Sequence, residues 1–307
     1  MTHFFVSESH RSVPPLRPRH STRYTVSVIP FLHLGPLTIP TYGLMVATGM
    51  LVAYFVLRAD LSRRGISAKD SGDAESLIAW PCLTGIVTSK IYSALESPHE
   101  FFADPKGVLL SQMGFTWIGG AIGGAVVFAF IATRIIRRAN ISGVGFLTFM
   151  DMGATAAAIG YGFGRMGCLL SGDGDYGTPT NLPWGMSFPN GLVPTTDRVH
   201  PTPIYEFIAA CAIAWLLWKM GSHFAKPSTK EKRGAQTAAA ALYQPGQIFA
   251  AYLVLTGIAR FLVEFIRLNP RVLWTLTNAQ IASLICIAAG TILWLRLRPH
   301  SSSVTST

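Results

Sequence analysis

Charge is scarce in this chain. Only 13% of its 307 residues are Asp, Glu, Lys or Arg, against about 25% in a soluble domain. With 50% hydrophobic residues and a mean hydropathy of +0.39, that shortage argues against a soluble fold and for a polytopic membrane protein. Cysteine is sparse too. Cys82, Cys168, Cys211 and Cys286 are scattered with no CxxC pair, so neither a zinc site nor a disulfide framework is signalled. Cys82, Cys211 and Cys286 are expected to be buried small hydrophobes. Period-2 alternation does not recur, which argues against an outer-membrane barrel. No internal repeat is visible, so an inverted-repeat transporter gains no support. The first 24 residues contain no apolar stretch of a signal peptide's kind.

What is present is a series of long apolar runs. A bilayer core needs about 20 mostly apolar residues per helical span. Seven segments qualify, at roughly 41–58, 76–95, 116–133, 147–170, 202–220, 246–267 and 276–295. The expected fold is therefore an all-α polytopic membrane protein of about seven transmembrane helices, occupying residues 25–298. A polar tail precedes it at 1–24, a flexible linker interrupts it at 221–243, and a second tail follows at 299–307.

The basic residues cluster between alternate runs: Arg58, Arg63, Arg64 and Lys69, then Arg134, Arg137 and Arg138, then Lys219, Lys226, Lys230, Lys232 and Arg233, and finally Arg296 and Arg298. The connection at 96–105 carries Glu96, Glu100 and Asp104 instead. The positive-inside rule then puts the N-terminus outside and the C-terminus in the cytoplasm. It also accounts for the net charge of +10 by anionic lipid rather than nucleic acid. The tail 1–24 disagrees, since Arg11, Arg17, Arg19 and Arg23 fall on the outer side. It is either translocated or ahead of the true start, and its composition suits disorder.

Several charges sit where hydrocarbon is expected: Lys90, Asp151, Arg165, Glu206, Arg260, Glu264 and Arg267. An arginine at mid-span costs roughly 2.5–3.5 kcal/mol on insertion scales. Snorkelling suits Arg267 as well as function does. Arg260 and Glu264 are four apart and share a helix face. As a group, the charges suggest a polar cavity. On the expected topology Arg165, Asp173, Glu206, Arg260 and Glu264 all fall toward the outer headgroup level. Paired arginines at that depth suit a forked grip on a phospholipid phosphate. The glycine-rich WIGGAIGG (117–124) and GYGFGRMG (160–167) read first as close helix packing; they also leave room for a lipid. The loop 171–200, with Pro179, Pro183, Pro189, Pro194, Trp184 and Phe188, is long enough to be an ordered, substrate-facing segment.

These blocks resemble a known family. GRMGCLLSGDGDYG is similar to the signature of the prolipoprotein diacylglyceryl transferases, Gly-Arg-x-Gly-Asn-Phe-x-Asn-x-Glu followed by glycine. PTYGLM (40–45), WIGGAIGG, HPTPIYE (200–206), RFLVEFIR (260–267) and LTNAQIASL (276–284, with Gln280) resemble its other motifs in order. The family transfers the diacylglyceryl group of phosphatidylglycerol to the lipobox cysteine of a preprolipoprotein in the bacterial inner membrane, releasing glycerol 1-phosphate. The resemblance implies that Arg165 and Arg260 hold the phosphate, with Glu206 and Asp173 completing the catalytic set. Tyr42, Gly167, Gly177 and Glu264 join the arginines in substrate binding. No metal or cofactor is implied, and the partners are phosphatidylglycerol, membrane lipid and the lipobox segment.

The chain also departs from the pattern. Cys168 and Ser171 replace two asparagines, and Ile118 stands where the family has a histidine suited to accept a proton. His200, Asp173 and Glu206 remain as candidate bases. Two other readings stay open: a divergent paralogue that binds lipid or acts as a scaffold, and a small-solute permease.

Overall fold

The computed structural model describes residues 28–64, 76–110, 116–139, 145–222 and 244–297. The tails at 1–24 and 299–307, and nearly all of the linker, lie outside the described residues. All seven expected segments are helical: α1 (Thr41–Arg63), α2 (Ser76–Glu96), α5 (Trp117–Ala139), α6 (Phe146–Ser171), α7 (Thr202–Gly221), α8 (Gln247–Val263) and α9 (Asn278–Arg296). Two short helices, α3 (Pro98–Ala103) and α4 (Pro105–Leu110), join α2 to α5. Five helical stretches are long and apolar enough to cross a membrane, namely Thr41–Arg63, Gly119–Arg138, Thr202–Gly221, Gln247–Ile266 and Asn278–Arg296. Helices α2 and α6 carry more small and polar residues, including Pro81 and Lys90 in α2 and Asp151 and Arg165 in α6.

The helices of the expected all-α fold are accompanied by short strands. Three antiparallel hairpins are present: β1–β2 (Phe31–Leu34, Leu37–Pro40), β3–β4 (Met186–Phe188, Thr195–Val199) and β5–β6 (Arg271–Leu273, Leu276–Thr277). Strands of two to five residues are too short to show an alternating pattern beside long apolar runs. All three gather at the end of the bundle that holds the start of α1 and the finish of α6.

Helix α6 is the axis. It packs against α1, α7 and α8, while α2 pairs with α5 and α8 with α9. Its small side chains Ala154, Ala156 and Ala158 are buried and let neighbouring backbones approach. Glycines do the same between α2 and α5. A Cβ on Gly119 would come within 2.6 Å of the Thr88 carbonyl, which supports the packing reading of WIGGAIGG. Leu57, Leu77, Ile135, Phe149 and Met152 form one core among α1, α2, α5 and α6. Ala158, Leu217 and Ile248 centre a second among α6, α7 and α8. A third lies outside the bundle, where Tyr176 stacks on Phe188 at 4.4 Å, beside Leu169 and Val199. It makes the 171–200 segment a packed unit.

Large apolar residues such as Phe55, Trp80, Phe130, Ile208, Trp215 and Ile285 are exposed, as hydrocarbon surroundings allow. Cys82, Cys211 and Cys286, expected to be buried, are only half-buried. An apolar side chain needs no protein cover where its surroundings are themselves apolar.

Local signals fix the helix ends that shape the site. Gly172 ends α6 in the left-handed region (φ 60°) and its N–H bonds the Cys168 carbonyl at 3.0 Å, the conformation glycine adopts most readily. Pro203 lies in the first turn of α7, where a missing N–H costs nothing. Thr277 and Gln280 form a reciprocal capping box that starts α9.

Candidate functional site

Side chains from α6, from α8 and from the loop after α8 converge on one carboxylate of α7. Glu206, in the first turns of α7, is 5% exposed. Its Oε1 accepts from the Tyr161 hydroxyl at 2.6 Å and from Arg260 Nη1 at 3.2 Å, with Arg165 Nε 3.5 Å away. Its Oε2 accepts from Arg267 Nη1 at 3.2 Å. One carboxylate is thus shared by three guanidinium groups, each from a different point of the chain.

A second carboxylate completes the ring. Asp175 bonds both Arg165 Nη1 and Arg267 Nη2 through its two oxygens. Burial alone would raise its pKa, but the charges and hydrogen bonds of Arg267 and Arg165 outweigh burial and hold it below the ordinary aspartate value. Thr202 Oγ1 donates to the Asp175 carbonyl at 2.6 Å and ties the loop to α7. Arg267 is placed by the backbone: Gly177 bridges to it, and Thr178 N–H bonds the Ile266 carbonyl at 2.7 Å. A Cβ at Gly177 would stand 2.7 Å from both His200 Cβ and the Ile266 carbonyl, so only glycine permits that crossing.

Glu264 supports Arg260 from behind. Its Oε2 lies 2.9 Å from Arg260 Nη2 and 3.9 Å from Arg267 Nε. Its Oε1 accepts from Asn269 at 2.7 Å and from the Thr277 hydroxyl at 2.8 Å. Thr277 therefore caps α9 and anchors the site at once. Tyr42 lies against the α6 end, 3.1 Å from where a Gly167 Cβ would be.

Burial grades the arginines. Arg267 is 6% exposed, Arg165 18% and Arg260 26%. Beside Arg165, a Cβ on Gly164 would meet nothing within 4 Å. Arg165 and Arg260 are thus the two arginines left partly uncovered.

Asp173 differs from the other carboxylates. Among the described residues it makes no ion pair with an arginine. Its Oδ1 accepts from Asp175 N–H at 3.2 Å. Burial pushes its pKa up, against an opposing hydrogen bond from the Cys168 thiol. Donor atoms of Cys168, Asp173 and Asp175 lie within 4.8 Å of one another, a spacing a metal ion can bridge. Arginine charge disfavours a cation there, because both Asp175 oxygens are bound to guanidiniums and Arg165 Nη1 stands 3.8 Å from the Cys168 sulfur.

Of the residues singled out from sequence, Arg165, Arg260, Glu206, Glu264 and Asp173 come together here, with Tyr42, Gly167 and Gly177 shaping the surroundings. Lys90 and Asp151 do not. Lys90 donates to the Val108 carbonyl at 3.0 Å, holding the α4 connection to α2. Asp151 accepts from the Gly246 and Phe249 N–H groups, both at 2.8 Å, and caps α8. His200 faces outward to Tyr205, with Nδ1 3.2 Å from the phenol, which also accepts from Trp184 Nε1 at 2.7 Å. Sequence reasoning missed two members, Asp175 and Arg267. The signal for Arg267 was its place in the series 260, 264, 267, which puts all three on one helical face.

Fold and site define the class: a polytopic membrane protein with an arginine–carboxylate centre at one end of its helix bundle. The chain belongs to the prolipoprotein diacylglyceryl transferase family, whose sequence model matches residues 30–296. Similar curated proteins carry the name phosphatidylglycerol–prolipoprotein diacylglyceryl transferase. The one from Bordetella bronchiseptica is 30% identical, with 88% of this chain and 95% of that protein covered. The one from Nostoc sp. is 28% identical over 90% and 92%, and that from Clostridium tetani 28% over 81% and 89%.

Proposed function

We propose that the protein transfers the diacylglyceryl group of phosphatidylglycerol to the lipobox cysteine thiol of a preprolipoprotein, the first step of lipoprotein maturation. The observation that carries this reading is the pair of partly exposed arginines, Arg165 and Arg260, brought side by side against the buried carboxylate of Glu206. A phosphodiester fits such a pair by forked, charge-assisted hydrogen bonds. The thiolate attacks the glycerol carbon that bears the phosphate. A C–S bond forms, the C–O bond breaks, and its electron pair leaves with glycerol 1-phosphate. The three arginines offset the charge that develops on the departing phosphate, and their fixed positions make that stabilisation effective. Glu206, Asp175 and Glu264 offset the mutual repulsion of the three clustered guanidiniums. Tyr42 and Gly167 shape its wall.

The reading places all seven long helices across the bacterial inner membrane. Arg63, Arg64, Arg137, Arg138, Lys219 and Arg296 end their helices at the face opposite the site. The positive-inside rule makes that face cytoplasmic and the site periplasm-facing, where a secreted chain presents its cysteine. A site at one end of the bundle also argues against a permease, whose polar groups belong near the midplane.

The test is a lipidation assay. Protein in phosphatidylglycerol vesicles is mixed with a lipobox peptide and the peptide mass is followed, with Arg165→Ala in parallel. A diacylglyceryl adduct from the wild type alone is the expected result. No adduct from folded wild type would overturn the reading in favour of a paralogue without this activity.

A further inference from the structure

The transferase reading leaves one part unfilled. An attacking thiol must lose its proton, and Ile118, in the place of the family's histidine, is a hydrocarbon that accepts none. We propose that Asp173 is the general base that takes the proton of the substrate thiol, an inference that rests on the transferase reading above.

The site offers four carboxylates, and their partners separate them. Glu206 is bound by three arginines and Tyr161, Asp175 by two arginines, and Glu264 by Arg260, Asn269 and Thr277. A carboxylate saturated by guanidiniums is held ionised and has its lone pairs engaged, which makes it a weak proton acceptor. Asp173 lacks such a clamp. Its Oδ1 accepts from Asp175 N–H at 3.2 Å, which orients it, and among the described residues no guanidinium pairs with it. A thiol already lies nearby, since the Cys168 sulfur is within 4.8 Å of an Asp173 carboxylate oxygen. The pocket thus accommodates sulfur against this carboxylate.

Its surroundings suit the task. Cys168 and Arg165 face Asp173 from α6, Asp175 and Tyr176 from its own loop, and Tyr42 from α1. Arg165 is the one cation in that shell, and its hydrogen bonds go to Asp175, Tyr161 and Cys168. Burial therefore prevails and holds the carboxyl above its ordinary value, which makes it the readier proton acceptor. Position matters as well. Displacement at carbon needs the nucleophile and the leaving group on opposite sides. Arg165 stands between Asp173, reached through Cys168, and Arg260, reached through Glu206. The sulfur can lose its proton on the loop side while the phosphate is held on the α8 side. The step balances: the S–H proton passes to the Asp173 carboxylate, the sulfur pair forms the C–S bond, and the C–O pair leaves as phosphate.

The experiment uses full-length protein in phosphatidylglycerol vesicles with a lipobox peptide, and compares wild type, Asp173→Asn, Asp173→Glu and His200→Gln across pH 6 to about 9, with phosphatidylglycerol binding measured on each. Asp173→Asn is expected to lower kcat by about 10²–10⁴-fold at neutral pH, with lipid binding retained. Its rate should rise steeply with pH as the substrate thiol ionises unaided near about pH 8.5, and Asp173→Glu should restore part of the rate. Three results would overturn the inference: an Asp173→Asn rate within about twofold of wild type, a deficit that does not recover with pH, or that recovering deficit appearing in His200→Gln instead. An inactive wild type would sink the transferase reading itself, which keeps the two failures distinct.

Discussion

The two ends of the helix bundle each bury carboxylates beside arginines, and they use them differently. At the end opposite the site, Asp60 and Asp151 are 0% exposed. Asp60 holds Arg63 and Arg64 from its own helix at 2.5 and 2.9 Å, and Arg63 lies 3.8 Å over the Trp218 ring and donates to its carbonyl. Asp151 is spent on two backbone N–H groups of α8. These contacts close a helix end. At the other end, Glu206 and Asp175 bind arginines from separate elements, and two of those arginines stay partly open. Buried carboxylates spent on their own helix end or on backbone N–H groups are architecture; buried carboxylates shared by arginines of several elements, two of them partly exposed, make a site.

Disturbing the shared network should cost most. Replacing Glu206 by alanine leaves three guanidiniums short of a partner, and losing one member of a buried ionic set costs about 3–5 kcal/mol. Thermal unfolding in detergent should show a marked loss, and lipidation should vanish. Arg165→Lys keeps the charge and loses the fork. The protein should remain folded while kcat falls by about 10²–10³-fold, read in the vesicle assay; equal activity would remove Arg165 from the phosphate.

The opposite end should behave otherwise. Asp151→Asn weakens a cap, so about 1 kcal/mol of stability should go, with lipidation per folded molecule unchanged. A loss of turnover there would break the contrast between the two ends.

Acid sharpens it. The Asp175 pKa is depressed in the folded protein, so its ion pairs contribute fully above the ordinary aspartate value of about 3.9. They are lost as pH falls below that value and through the depressed one. The stability gap between wild type and Asp175→Asn should hold steady from pH 7 to 5 and shrink in stronger acid. The smallest effect belongs to Tyr176→Phe. Its hydroxyl lies 2.7 and 2.8 Å from the Gly172 and Val193 carbonyls, so about 0.5–1.5 kcal/mol is at stake. Hydrogen exchange should quicken over 186–199.

Much of this was legible in the sequence. Seven apolar runs marked seven helices to within a few residues, because helix formation in hydrocarbon is dictated by local composition. The charges that break those runs announced themselves by their cost. Yet Lys90 and Asp151 looked no different from Arg165 and Glu206, since a cost of burial does not name the partner. Asp175 was indistinguishable from Asp173 in a glycine-rich loop, and the hairpins were too short to register.

The sequence by itself determined the helices, the lopsided distribution of charge and the set of residue types able to grip a phosphate. Tertiary structure decided which of them meet. Glu206 finds Arg267 61 residues away and Asp175 finds it at 92. Such pairings depend on how α6, α7 and α8 pack and on where the Gly177 crossing lays one backbone over another. A local pattern carries no information about contacts that only packing creates.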